Sequence, residues 1–275
     1  VEGLTEVVTD KSDDRFAYGI DEGDEATAAE HERLSVLASQ YDGGSIRLME
    51  NLGIASGWHC LEVGAGHGGI ARWLAATVGE DGRVMATDID TRFLTDMPVN
   101  VIVREHDIAV DLLPAAHFDL IHARAVLQHV PHREHALDRM IDAAKPGGWL
   151  LIEDIDWLVF DSQELPKPFG TLHHAVREAY TANAGYDGEW GRRMLATMRA
   201  VGLQDVDSRG TVRTMHGGTP SAEWYVMALA RAGPALVDAG LLDAAAVEGA
   251  IAQARDPSFA VLSPLSISAW GRKPE

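Results

Sequence analysis

The spacing of apolar residues changes period along the chain, and each change marks an element. From Glu25 to Ala38, Ala, Leu and Val recur at helical spacing, and Ile46 to Leu52 repeats the pattern after Tyr41-Asp42-Gly43-Gly44. Two short helices are therefore expected ahead of the first strand. His59-Cys60-Leu61-Glu62-Val63 reads as a strand closed by glycines, and Ile70 to Ala75 as the helix after it. Asp81-Gly82 then turns the chain into the apolar run Arg83 to Thr87, which ends at Asp88 and completes a β-α-β unit. Val99 to Arg104, Phe118 to His122 and Trp149 to Glu153 continue the rhythm, with a helix around Glu134 to Ala144. Short apolar strands separated by helices predict a doubly wound α/β sheet, because right-handed crossovers lay helices on both faces.

Beyond Glu153 the rhythm is lost. Residues 155–200 hold Trp157, Phe160, Phe169, Tyr180, Tyr186 and Trp190 without a clear strand, as expected of a lid-like insertion before a strand near Val206 to Met215. Residues 220–256 form a second, largely helical insertion, and the alternation from Leu265 to Gly271 suits a final strand, the seventh of a mostly parallel sheet. The expected organisation is a flexible arm over 1–15, a helical cap over 16–56, and a sheet domain over 57–275 with insertions at about 155–200 and 220–256.

Composition narrows the function. The chain has 275 residues, 46% of them apolar, enough to fill a sizeable core. Forty-two acidic against 23 basic side chains leave a net charge of −19, a field that repels nucleic acids and anionic lipid. No apolar run reaches the roughly 18–20 residues that span a bilayer. The acidic N-terminal stretch lacks the pattern of a secretion signal, and the single cysteine, Cys60, has no partner within the chain. A cytoplasmic protein acting on a small molecule, as monomer or homodimer, is the expectation, with Cys60 a core residue of the first strand.

The strongest chemical signal is Glu62-Val63-Gly64-Ala65-Gly66-His67-Gly68-Gly69, set between a strand and a helix. Glycines let the loop turn tightly and let a nucleotide-like ligand approach the peptide groups at the carboxyl edge of the sheet. Gly64, Gly66 and Gly69 also satisfy the dinucleotide fingerprint G-x-G-x-x-G, so a nicotinamide dehydrogenase is one reading. A carboxylate beside the loop suits a cationic sulfonium better than a diphosphate, which favours Glu62 as a partner of S-adenosylmethionine.

Together these residues resemble the class I S-adenosylmethionine-dependent methyltransferases over roughly residues 58–155, which implies a Rossmann-like methyltransferase fold. In that family the acidic glycine loop binds the donor, which brings in Gly64, Ala65, Gly66 and Gly68. An acid ending the second strand accepts the ribose hydroxyls, and Asp88 stands there. Asp107 matches the acid that meets the adenine amino group, with Ile89 and Ile108 sandwiching the ring. Phe118 to Arg124 followed by Val126-Leu127-Gln128-His129-Val130 is similar to the strand and segment that line the methionine, which brings in Ala123 and Arg124. Lys145-Pro146-Gly147-Gly148-Trp149 looks like the turn before strand five. Upstream, Phe16-Ala17-Tyr18-Gly19 with Glu32-Arg33-Leu34 looks like the cap of actinobacterial-type small-molecule methyltransferases, where Tyr18 would close over the donor.

With the two insertions able to build a largely apolar, closable pocket above the sheet and the net charge discouraging nucleic acid, the expectation is methyl transfer to oxygen or nitrogen of a small, largely apolar molecule in secondary metabolism. An enzyme of the same fold that cyclises, rearranges or eliminates instead is the runner-up. Candidate proton acceptors are His173, in the first insertion, His129, after the fourth strand, and Asp154, after the fifth; His122 is a further histidine near the same edge. The proline-interrupted run His129 to His135 does not put three imidazoles on one face, and no metal set is assigned. Glu153, Asp154 and Asp156 have the oxygen chemistry for Mg²⁺ but read more simply as strand-end acids.

Overall fold

The computed structural model describes residues 23–182 and 185–275. Its strands and helices fall into two units, one made of Tyr41–Trp157, Asp187–Thr211 and Leu265–Glu275, the other of the residues up to Gln40, Leu158–Tyr186 and Val212–Pro264.

The first unit is built on a seven-stranded sheet. Its strands are β1 (His59–Val63), β2 (Arg83–Asp88), β3 (Val101–Glu105), β4 (Phe118–Arg124), β5 (Ala144–Asp156), β6 (Gln204–Thr211) and β9 (Leu265–Arg272), in the order β3-β2-β1-β4-β5-β9-β6. β1, β2, β3, β4 and β5 pair in parallel, and β9 runs antiparallel to both β5 and β6. This is the Rossmann-like methyltransferase arrangement. Strand order reverses direction at β1, so the loops after β1 and β4 part there and open the crevice where such sheets bind ligands.

Each face of the sheet has its own core. Leu61, Val63, Ile121, Ala123, Leu150 and Ile152 cluster with Leu137 and Met140 of α3 (Arg133–Ala143) and with Trp190, Met194 and Met198 of α6 (Trp190–Ala200). Cys60, Val84, Ala86, Leu120 and Leu151 cluster with Ile70, Ala71 and Leu74 of α2 (Gly69–Val78) and with Leu48 and Met49 of α1 (Asp24–Asn51). Cys60 is fully buried, and burial holds its thiol protonated.

Three elements differ from the sequence expectation. The two N-terminal helices are one, α1, helical straight through Tyr41-Asp42-Gly43-Gly44. Each glycine there weakens a helix by about 1 kcal/mol, but the Arg124 guanidinium clamps this turn by bonding the Asp42 carboxylate and, at 2.8 Å, the Ser45 hydroxyl. The strand expected over Val206 to Met215 is divided. β6 ends at Thr211, and β7 (Thr214–His216) pairs with β8 (Ala260–Leu262) in a separate two-stranded sheet of the other unit. The first insertion ends at Tyr186 and not near 200, because α6 packs on β5, β9 and β6 and belongs to the sheet.

The second unit holds α4 (Leu158–Ser162), α5 (Phe169–Ala182), α7 (Pro220–Asp238) and α8 (Ala244–Arg255). Thr219 and Asp243 cap α7 and α8, each accepting a backbone N–H of the first turn, and Pro220 opens α7 where its missing N–H is harmless. Phe160, Phe169, Tyr225 and Phe259 pack edge to face as its aromatic centre. Among the described residues, no helix is long and apolar enough to cross a membrane.

Membership of α6 in the sheet core is testable at Trp190, whose side chain is almost wholly buried. Trp190→Ala is expected to destabilise the fold by about 3–5 kcal/mol in urea unfolding; a loss under about 1 kcal/mol would put α6 outside the core.

Candidate active site

The β1–α2 loop carries three left-handed residues in alternation, Gly64 at φ 68°, Gly66 at 55° and Gly68 at 83°. A side chain at Gly64 would also collide with Val126, since its Cβ would lie 2.3 Å from Cγ2. The loop after β1 therefore packs at Gly64 against Val126 of the segment after β4, beside the crevice where the sheet reverses. Ala65 donates its N–H to the Thr87 carbonyl at 2.9 Å, and the Gly66 N–H reaches Asp88 Oδ2 at 2.7 Å. Asp88 Oδ1 accepts from Asp90 N–H at 3.1 Å. Burial raises the Asp88 pKa, and these backbone donors pull it back. Each carboxylate oxygen keeps a second lone pair, and Asp88 is only partly buried, so it suits a pair of vicinal hydroxyls.

Asp107 lies at the tip of β3, partly exposed, its Oδ1 accepting the Ala109 N–H at 2.8 Å. Ile89 is partly exposed. Ile108 departs from the sandwich expectation: it is buried in the core cluster on the α3 side of the sheet and shows almost no free face. Ala123 is buried in the same cluster, and Arg124 is committed to Asp42 and Ser45. Tyr18, with the rest of the Phe16-Ala17-Tyr18-Gly19 segment and the 1–15 arm, lies outside the described residues.

Glu62 does something other than face a ligand. It is 4% exposed and bonds His122 Nδ1 at 2.7 Å, while His122 Nε2 meets Glu153 Oε2 at 2.9 Å and Glu153 Oε1 accepts from Ser268. The chain Glu62-His122-Glu153-Ser268 thus ties β1, β4, β5 and β9 together in one buried line. Burial alone would lower the His122 pKa, but the flanking carboxylates raise it to about 9. Burial would likewise raise Glu153, yet the hydrogen bonds from His122 and Ser268 and the imidazolium charge hold it at about 2. Glu62 is raised by burial, with His122 opposing. The carboxyl read as a partner for a sulfonium is spoken for by an imidazolium, because in β1 it shares a face with Cys60 and points where β4 places His122.

Of the candidate proton acceptors, Asp154 stands apart. It is 2% exposed, and neither carboxyl oxygen has a hydrogen-bond partner. Burial pushes its pKa up to about 8, against the pull of the nearby Gln128 and Val126 backbone donors and the Arg133 charge. It sits at the carboxyl end of β5, under a segment that Gln128 clamps by accepting the Ile155 N–H at 3.0 Å on its side chain and the Asp187 N–H at 2.7 Å on its carbonyl. His129 on the same segment is half-buried, its Nε2 3.0 Å from Gln128 Nε2. His173 belongs to the second unit and is fully buried, with Tyr225 Oη 2.6 Å from Nδ1 and Asp161 Oδ1 2.8 Å from Nε2. Burial lowers it to about 4, against the pull of Asp161. Both its nitrogens are taken. Asp156 is gripped by Arg192 through two bonds of 2.6 and 2.8 Å, and Glu153 by His122, so neither is open to Mg²⁺.

Comparison with known proteins agrees with this geometry. A family profile described as a methyltransferase domain matches residues 30–195. The chain belongs to the methyltransferase domain family. Methyltransferase str2 of Strobilurus tenacellus is 43% identical over 98 residues, a stretch that covers 35% of this chain and 35% of that protein, so the chain spans about a third of that relative's length. Phosphoethanolamine N-methyltransferase 2 of Haemonchus contortus, solved with S-adenosylhomocysteine, superposes with a TM-score of 0.55 at 16% identity, over 85% of this chain and 53% of that one. The [4+2]-cyclase SpnF gives a TM-score of 0.51 at 17% identity, over 89% and 81%. The methyl donor of this class I fold is S-adenosylmethionine, and the left-handed glycine loop against a strand-end acid fits it.

Ser45, Asp42, Ser268 and Arg192 complete the wiring of this edge and carry no motif. A clue to the network exists only in strand parity, since Glu62 and His122 stand two residues beyond Cys60 and Leu120 on paired strands.

The network has a signed pH dependence. His122 is raised, so its stabilisation is full below about pH 6.5 and is lost as pH rises through about 9; Glu153 is lowered, so its share is present above about pH 4.5 and is lost as pH falls through about 2. His122→Gln is expected to cost about 3–5 kcal/mol and to flatten the alkaline limb in denaturant unfolding followed from pH 6 to 10. Asp154 has the opposite sign for a carboxyl: its burden on folding is absent below about pH 3.8 and complete above about pH 8. Asp154→Asn is expected to stabilise the fold, with a gain that grows between those limits and is read from Tm against pH.

Proposed function

We propose that this chain transfers the methyl group of S-adenosylmethionine to oxygen or nitrogen of a small, largely apolar molecule in secondary metabolism. The observation that carries the donor half is the left-handed loop Gly64-Ala65-Gly66-His67-Gly68 held on the Asp88 carboxylate through the Gly66 N–H. Asp88 would take the ribose hydroxyls, Asp107 the adenine amino group, Ile89 one ring face, and the glycine loop the methionine end. Support for a small acceptor is the strongly acidic surface, which repels polyanions, and the phosphoethanolamine N-methyltransferase among structures of this fold. A cytoplasmic location and a monomer or homodimer complete the reading.

Bound S-adenosylmethionine supplies an electrophilic methyl group on a positive sulfur. What the chain adds is aim, dryness and a place for a proton. We assign the proton to Asp154, with His129 on the segment after β4 as the alternative, because both Asp154 oxygens are buried and the nearby Gln128 and Val126 N–H groups form no full hydrogen bond to either. Its pKa near 8 keeps it protonated at neutral pH and makes it a better acceptor as pH rises. His173 acts in this reading as a fixed member of the second unit's aromatic centre.

A second reading has a specific support. SpnF shares the fold and is named a [4+2]-cyclase, so the same scaffold serves chemistry without methyl transfer. The readings separate on product, because methyl transfer releases one S-adenosylhomocysteine per acceptor consumed and cyclisation releases none. For donor binding, titration calorimetry is expected to show S-adenosylhomocysteine bound and NADH not, with Asp88→Ala weakening it roughly 10- to 100-fold, the worth of hydrogen bonds to a charged group. Tight NADH binding, or unchanged affinity in Asp88→Ala, would contradict the assignment.

A further inference from the structure

The second unit brings together a set of donors that its aromatic packing does not require. Asp161 on α4 and His173 and His174 on α5 each offer one ligand atom, and these atoms all lie within 4.8 Å of one another. We propose that Asp161, His173 and His174 bind a divalent transition-metal ion of the zinc class. Two imidazoles and one carboxylate are the ligand types such ions take, and a three-residue set leaves one position for water.

Zinc bonds of about 2.0–2.2 Å put tetrahedral ligands roughly 3.3–3.6 Å apart, so the hydrogen-bonded Asp161–His173 pair, now at 2.8 Å, opens to admit the ion while His174 closes on it. The structure divides that task. His173 is immobile: its ring is fully buried, edge-on to Phe160 with centroids 4.7 Å apart, and its Nδ1 is 2.6 Å from Tyr225 Oη. Asp161 and His174 are exposed and turn in towards it. Tyr225 then plays the part of the outer partner that fixes a metal-bound imidazole.

The proton balance closes within the cluster. An ionised carboxylate only accepts, so His173 Nε2 carries the proton that Asp161 Oδ1 receives at 2.8 Å, and Nδ1 accepts from the Tyr225 hydroxyl. When the ion takes the place of that proton on Nε2, the proton moves to Nδ1 and the Tyr225 hydroxyl turns from donor to acceptor. Arg177, 3.1 Å from Asp161 Oδ2, supplies the counter-charge that the ion replaces.

The test uses the untagged 275-residue chain, stripped with a chelator and titrated with Co²⁺ and then Zn²⁺. One Co²⁺ per chain at micromolar affinity, with the visible absorption of low-coordinate cobalt and its loss on adding Zn²⁺, is the expected result. His174→Ala and Asp161→Asn should weaken binding at least roughly tenfold, and Arg177→Gln should tighten it. His132→Ala with His135→Ala, two exposed histidines of the sheet unit, should change nothing. Absence of Co²⁺ binding, or binding unaltered by His174→Ala, would overturn the site. Because the readout is metal binding, failure here leaves the methyl-transfer reading untouched.

Discussion

An imidazole held between two carboxyl groups, His122 between Glu62 and Glu153, is the interaction on which the carboxyl edge of the sheet depends. The residues come from three adjacent strands: Glu62 is level with His122, Glu153 stands two residues beyond His122's register partner Leu151, and Ser268 of β9, paired with Glu153, extends the line to a fourth strand. Buried ion pairs often contribute little net stability, because desolvation offsets attraction. What this one contributes is register. A one-residue slip of β4 against β1 or β5 would turn His122 into the apolar core and leave two buried carboxylates without a counter-charge. The glycine loop leaves β1 directly after Glu62, and the segment that meets it at Val126 leaves β4 just after His122. Fixing the register of these strands therefore fixes the relation between the two loops.

That arrangement redistributes roles among the acids. With Glu62 engaged by His122, the polar groups that the proposed function leaves for a donor are Asp88, Asp107 and the backbone of the glycine loop. Asp88 is itself oriented by the loop, through the Gly66 and Asp90 N–H groups. Such a carboxylate meets a ligand in one geometry, which is how a few polar groups in an apolar crevice gain specificity. Arg124, two residues beyond His122 on the same face of β4, is drawn back onto Asp42 and Ser45 and stitches α1 to the same edge.

How much of this was legible depends on whether the signal is local. The parallel strands follow from apolar runs alternating with helices, and β1 matches its predicted limits residue for residue. The glycine loop and Asp88 are equally local: tight turns need glycine, and a strand ends where its apolar run does. Gly43-Gly44 misled because helix propensity is a weak local preference, and an arginine 80 residues away overrides it. The partner of Glu62 stayed hidden for the same reason. Sequence shows that a carboxylate precedes the loop, but its facing depends on a histidine in another strand. The His173 setting is less legible still, as Asp161 and Tyr225 reach it from separate helices with no common motif.

Asp154 is where stability and chemistry pull apart. A carboxyl 2% exposed, with neither oxygen bonded, is a group that folding alone would replace by an apolar residue or an amide. Two residues further along β5, Asp156 shows what a structural acid looks like here: equally buried, and satisfied by a bidentate arginine. Glu153, its neighbour on the other face, is satisfied by His122 and Ser268. The fold can thus satisfy buried acids at this edge and leaves one unsatisfied. Unpaired, shifted carboxyls concentrate at reacting centres because a proton held near pH 8 is a proton that can be exchanged. The contrast among three neighbouring acids of one strand sets Asp154 apart as the one whose carboxyl the fold leaves without a formed hydrogen bond, and that is the ground for the proton role proposed for it.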